Sequence, residues 1–273
     1  MAGILYVVGT PIGNLKDITL RAIETLRSAD VIACEDTRQT AKLLHHYQIR
    51  KPLVSLHEHN ERSRTPGLIE RLRGGESVAL VCDGGTPLIS DPGWWLVHQA
   101  IEEQVPVTWI PGATALLGGL VLSGLPAERF VCEGFLPVKP GARRKRLEAL
   151  KGEERTVVLY ESPHRLLKTL REVCEVLGDV PAACGRELTK RFEEIRRGTA
   201  SELIRHFEQH PPRGEFVLVF SNRQSAIVNR PRHRATAFGR GPALRPRAGG
   251  RDVAPGGAWC QGATPPRRGG APQ

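Results

Sequence analysis

Residues 78–93 read VALVCDGGTPLISDPG. The run Val78–Cys82 is short, apolar and free of alternation, as expected for a strand buried on both faces of a parallel sheet. It stops at Asp83-Gly84-Gly85-Thr86-Pro87, an acid followed by two glycines and a proline. Glycine lets the backbone approach a ligand closely, and an α/β sheet presents its ligands at the carboxyl ends of its strands.

The same pattern extends to both sides. An apolar strand over Ile4–Val8 runs into the loop Gly9-Thr10-Pro11-Ile12-Gly13-Asn14. A helix follows from an N-cap at Asp17 to Ser28, with Ile18, Ala22, Ile23, Leu26 and Ala29 on one face. Strands at Val31–Cys34, Leu53–Leu56, Val78–Cys82 and Val107–Ile110 alternate with helices near Thr37–Tyr47, Ser63–Arg73 and Trp94–Gln104. Strand–helix alternation of this kind predicts a parallel sheet with helices on its faces.

Past Pro111–Ala115 the texture changes. Strands at Arg129–Phe135, Thr156–Tyr160, Ala182–Arg186, Glu193–Gly198 and Glu215–Phe220 are separated by uneven helices near Arg143–Leu150, Pro163–Leu177 and Ser201–Gln209. The expectation is an α/β protein with an N-terminal domain over 1–115, a second α/β domain with a mixed sheet over 116–222, and a ligand in the cleft between them.

Composition bounds the function. The formal net charge of +10 is concentrated after residue 222, where ten Arg face one Asp, so the body is nearly neutral. Basicity therefore does not mark the body as a nucleic-acid binder. Residues 223–273 are dominated by Arg, Gly, Ala and Pro without apolar periodicity, and read as a disordered tail. The abrupt shift fits either a basic RNA-binding arm or an out-of-frame reading of GC-rich coding sequence. Six scattered cysteines without CxxC spacing point to buried thiols in a reducing cytoplasm. No apolar stretch is long enough for a membrane span, and the N-terminus lacks a charged leader.

The two glycine loops, 9–13 and 84–88, match neither GxGxxG nor GxxxxGK[ST]. Each places proline where a phosphate cradle needs an N–H donor, and Asp83 would repel a polyphosphate. An adenosine carrying positive charge, such as S-adenosylmethionine, satisfies both conditions. Two tight turns that merely connect strands satisfy them equally well.

The ordered series GTPIGNLKDIT (9–19), CEDTRQTAKLL (34–44), DGGTPLISDPG (83–93), PGATA (111–115), FLP (135–137), YESPHR (160–165) and GRELTKRFEE (185–194) resembles the rRNA small subunit methyltransferase I family of the tetrapyrrole methylase superfamily. The likeness covers residues 3–222 in order. It implies a two-domain methylase, usually a homodimer, with S-adenosylmethionine in the cleft. The implied reaction is methylation of the ribose 2′-hydroxyl of a cytidine in the decoding region of 16S rRNA, on the 30S ribosomal subunit.

Cofactor contacts implied by the resemblance fall on Pro11, on Asp83, Gly84, Gly85, Thr86 and Leu88, on Thr114 and Ala115, and on Tyr160, Leu188, Phe216 and Val217. Packing alone would also explain Tyr160 and Leu188. The family usually reads Asp-Ala-Gly-Thr-Pro and Pro-Gly-Pro-Ser-Ala where this chain has Gly84, Ala113 and Thr114, small-for-small changes. It also usually carries a short C-terminal helical segment, to which nothing after Asn222 corresponds.

Methyl transfer to a hydroxyl needs alignment and a sink for the proton, and it needs no metal. Glu35, Asp36 and Arg38, directly after a buried strand, are the leading catalytic candidates with Arg186; a helix cap at Asp36 explains the same residues. His57, His59 and Glu133 are further bases. The pair His57/His59 lacks the additional ligands of a metal site. Arg143-Arg144-Lys145-Arg146 opens a predicted helix, where positive charge is disfavoured, and suggests an RNA-backbone contact together with Arg165 and Lys190. Two other readings compete with the rRNA methylase: a small-molecule tetrapyrrole methylase, and a non-enzymatic ribosome-associated or shifted-frame product.

Overall fold

Strand β1 (Leu5–Val8) begins a five-stranded sheet completed by β2 (Val31–Cys34), β3 (Leu53–Ser55), β4 (Val78–Val81) and β5 (Val107–Ile110). In the computed structural model, which describes residues 2–223, every pairing in this sheet is parallel and the order is β3-β2-β4-β1-β5. The tail after Arg223 lies outside the described residues. β2 and β4 are buried at every position, which is why they read as unbroken apolar runs. Val78 and Leu80 pack toward α3 (Glu61–Arg73) and α4 (Trp94–Glu102), whereas Ala79 and Val81 pack toward α1 (Leu20–Ser28) and α2 (Thr37–His46).

The order of the strands fixes where a ligand can sit. From β1 the chain crosses toward β2; from β4 it crosses the other way, toward β5. The neighbours β1 and β4 thus form a topological switch point, and their C-terminal loops open a crevice. Those loops are Gly9–Gly13 and Cys82–Gly93.

Helix α5 (Ala115–Ser123) leads into β6 (Phe130–Phe135), α6 (Pro140–Ala149), β7 (Thr156–Glu161), α7 (Pro163–Leu177), β8 (Pro181–Arg186), β9 (Glu194–Thr199), α8 (Ala200–Gln209) and β10 (Phe216–Phe220). The second sheet has the order β6-β7-β10-β8-β9, parallel between β6 and β7 and antiparallel elsewhere. One face buries Leu159, Leu218 and Phe220 against α6, α7 and α8. The other buries Val158, Val217 and Val219 against Leu116 and Leu120 of α5. The result is two α/β domains, one built on a parallel sheet and one on a mixed sheet.

Three local expectations need correction. Asp17 does not cap α1: it ends a short 3₁₀ turn, Leu15–Asp17, and Thr19 caps the helix by accepting from the Ala22 N–H. The segment between β5 and β6, for which no helix is expected, contains α5, which is apolar all round and so lacks an amphipathic stripe to reveal it. Helix α6 begins at Pro140 rather than Arg143, so Arg143 lies beyond the first three residues, clear of the most exposed N–H groups of the dipole.

Candidate functional site

The two glycine loops are joined. Thr10 and Gly85 exchange backbone hydrogen bonds (2.8 and 3.1 Å), and Thr10 Oγ1 donates to the Cys82 carbonyl at 3.2 Å. The turns therefore form a single platform above β1 and β4. Gly85 has φ +108, a conformation that side-chain-bearing residues rarely adopt. Downstream, Leu88 and Ser90 also have positive φ, strain of the kind that persists where surrounding structure over-determines a site.

Above the platform lies a cleft of about 670 Å³, walled on its far side by the second sheet. It brings together Pro11, Asp83, Gly84, Gly85, Thr86, Thr114, Ala115, Tyr160, Leu188, Phe216 and Val217 from the expected cofactor set. Phe216 borders the cleft while its ring packs on the sheet's other face, 5.6 Å from Phe207. Leu88 does not line the cleft; its side chain turns into the core under the first sheet.

The cleft's electrostatics are set by carboxylates. Asp83 Oδ1 accepts the Asp36 N–H at 3.0 Å, which ties the loop after β4 to the loop after β2. Asp91 lines the cleft and is pushed above the usual carboxylate range by burial and, more weakly, by the Asp83 charge, against a hydrogen bond from the Cys82 thiol. Glu35, half-buried beside them, is pushed up by burial and then by Asp83 and Asp91. Three acids whose charged forms oppose one another favour a cation between them. Asp91 was missed in the sequence because no strand end or glycine pair marks it.

The expected catalytic set is not assembled at the cleft. Asp36 caps α2 through the Arg38 N–H (2.8 Å) and holds the Arg38 guanidinium through both carboxylate oxygens. Those bonds hold its carboxyl down at about 2. Of Glu35 and Asp36, Asp36 is the poorer proton acceptor. Arg38 is largely exposed. Arg186 follows Gly185, which lines the cleft, so strand alternation turns it to the opposite face. There it donates to the Arg213 carbonyl and to Glu194. Glu133 is held by both nitrogens of an Arg146 fork, and His57 by Asn60.

The basic run is also divided. Arg143 is 2% exposed, its guanidinium bidentate on Glu172 at 2.5 and 2.7 Å and donating to the Val138 carbonyl, so it has no free charge for a phosphate. Arg144 pairs with Glu148 and Glu175, whereas exposed Lys145 has no ion pair among the described residues. Arg165 donates to the Leu136 carbonyl beside Glu161. Lys190 lines the cleft, with Nζ on Glu187 and Glu215 at 3.0 and 2.8 Å.

A family model described as Tetrapyrrole (Corrin/Porphyrin) Methylases matches residues 4–204. A protein of Synechocystis named ribosomal RNA small subunit methyltransferase I is 51% identical over 220 residues, covering 80% of this chain and 79% of the relative. A Thermotoga maritima protein of the same name is 47% identical over 222 residues, covering 81% of this chain and all of the relative. The chain belongs to the ribosomal RNA small subunit methyltransferase I family. Solved structures extend the fold beyond that family. A diphthine synthase superposes with a TM-score of 0.61 at 18% identity, covering 80% of this chain and 89% of its own. A Thermus thermophilus uroporphyrin-III-C-methyltransferase gives 0.57 at 23%, covering 80% and 94%. At such identities the likeness concerns the fold alone.

Proposed function

We propose that this chain transfers a methyl group from S-adenosylmethionine to the ribose 2′-hydroxyl of a cytidine in the decoding region of 16S rRNA, on the 30S subunit. The observation that carries the reading is the glycine-floored, acid-lined cleft at the β1/β4 switch point, in a chain whose relatives are named as rRNA methylases. The residues present fit the cofactor. Pro11 and Pro87 supply no N–H donors for phosphates, and Asp83 and Asp91 favour a cationic ligand.

When bound, S-adenosylmethionine supplies an electrophilic methyl on a sulfonium, which becomes a thioether as the ribose oxygen gains the methyl. The protein's task is alignment and disposal of the hydroxyl proton. Asp83, fixed by the Asp36 N–H, holds positive charge at the platform. Asp91 lines the cleft with a raised pKa, which makes it the better proton acceptor than Asp36, and we assign it that role. Leu188 and Val217, both buried, exclude water from the wall that the second sheet contributes.

A homodimer in the cytoplasm completes the reading. The dimer's support is the exposed face of α5, where Leu117 and Val121 (45% and 72% exposed) are available for burial. Light scattering of the purified protein tests the dimer. Labelled methyl incorporation, comparing 30S subunits with precorrin-type tetrapyrroles, tests the reaction. Label on the 2′-oxygen of one cytidine is expected; transfer only to a tetrapyrrole, or none, overturns it.

A further inference from the structure

Strand β6 contains a β-bulge. Phe130, Val131 and Cys132 pair with Thr156, Val157 and Val158, but Gly134 and Phe135 pair with Leu159 and Tyr160, so Glu133 is the extra residue. Without it Phe135 would face Glu161, whose carboxylate is buried and takes the Thr169 hydroxyl on the sheet's other side. The inserted residue shifts the phase of the strand and places Phe135 beside Tyr160, ring centroids 5.6 Å apart, on the cleft face. Two features lock the bulge. The Glu133 carboxylate is clasped by Arg146 of α6, and Gly134 has φ +59 with its α-carbon so close to Ser90 that a side chain there would meet Ser90 Oγ at 2.9 Å.

The result is an aromatic ring that lines the cleft and packs against Tyr160, yet is 56% exposed. The enclosed second-sheet wall, with Leu188 and Val217 at 7% and 3% exposure, suits the cofactor. Phe135 lines the same cleft with more than half of its surface open to solvent. We infer that Phe135 is the platform of a nucleobase subsite, on which the base of the methyl-accepting nucleotide stacks so that its ribose is presented to the cleft. This rests on the proposed RNA substrate. Stacking on an aromatic suits a base withdrawn from its own stack and tolerates any base, so it positions the nucleotide rather than reading its identity.

The test compares wild type with Phe135→Ala, Phe135→Leu and Phe135→Trp, measuring 30S methylation and, separately, S-adenosylmethionine affinity by calorimetry. An exposed site tolerates all three changes, and circular dichroism checks that they fold. Phe135→Ala and Phe135→Leu are expected to lower kcat/KM for 30S by about ten- to a hundredfold with cofactor affinity within twofold, and Phe135→Trp to restore most of it. Unchanged kcat/KM in Phe135→Ala, or equal rescue by Leu and Trp, overturns the subsite while the methylase reading stands. A parallel loss of cofactor affinity also overturns it, placing the ring in the cofactor's pocket. A wild-type protein inactive on 30S overturns the substrate reading itself, and the subsite with it.

Discussion

Asp91 shows how a single carboxylate can oppose stability and serve binding. Its raised pKa means that the ligand-free fold is favoured by the protonated form and loses stability as pH rises through that value. Asp91→Asn should therefore raise the melting temperature of the ligand-free protein at neutral pH, while weakening S-adenosylmethionine by roughly tenfold, about 1.4 kcal/mol. Cofactor affinity of the wild type should fall as pH drops into the raised carboxylate range, with proton release on binding in that range. Calorimetry in buffers of differing ionisation heat measures both. Gly85→Val forces a branched side chain into φ +108 and should abolish cofactor binding; unchanged calorimetric affinity would contradict the platform. At this scale the placement of residues was readable where residue type and position coincide: an acid at a strand end beside paired glycines pointed to Asp83–Thr86, which line the cleft. The sequence was silent on Asp91 and Phe135, because burial and a shift of strand phase are not properties of a local pattern. Leu88, named in the expected cofactor set, directs its side chain into the core.

Elements decide what a charged run can do. Helix α6 carries Arg143, Arg144, Lys145 and Arg146, but the helical period turns Arg143 inward with Leu147 while its neighbours face out. Composition identified the run, and burial separated it. Arg143→Met should destabilise the fold by about 2–3 kcal/mol, because the nearly buried Glu172 loses its partner. Glu172 is held below the usual range chiefly by that hydrogen bond, so the stabilisation exists above the ordinary carboxylate pKa and disappears as pH falls through the lowered one. The melting temperatures of variant and wild type should accordingly converge in acid. By contrast, Arg144→Glu with Lys145→Glu should leave stability nearly unchanged and reduce the salt dependence of RNA binding, measured by titration at several ionic strengths. Helix α5 makes the opposite point. Gly119 approaches β10 so closely that a β-carbon would lie 2.5 Å from Val217 Cγ1. Alanine gains about 1 kcal/mol in helix propensity, but the clash outweighs it, and a net loss of roughly 1–2 kcal/mol in denaturant unfolding is expected.

Across the whole molecule, the fold was legible because alternation of strand and helix leaves few topologies, whereas the order of strands and the joining of two loops are long-range facts. We propose that the domain division near residue 115 leaves α5 with the second sheet, as its packing against Val217 and Val219 supports. Asn222 closes the described body: its Nδ2 donates to the carbonyls of Leu150 and Glu153 at 2.7 and 2.9 Å, fastening the turn after α6. Removing residues 224–273 should leave the melting temperature and cofactor affinity unchanged, whereas Asn222→Ala should lower the melting temperature by a few degrees, roughly 1 kcal/mol. Strand β10 has a consequence for biosynthesis. It lies at the centre of its sheet, between β7 and β8, yet it is the last described strand to be made. The parallel sheet can close while translation continues, but the mixed sheet waits for residues 216–220 to emerge from the exit tunnel. A nascent chain halted before Phe216 would expose β7 and β8 as unpaired edges to quality control, while a change of reading frame beyond Asn222 would leave every strand of both sheets in place.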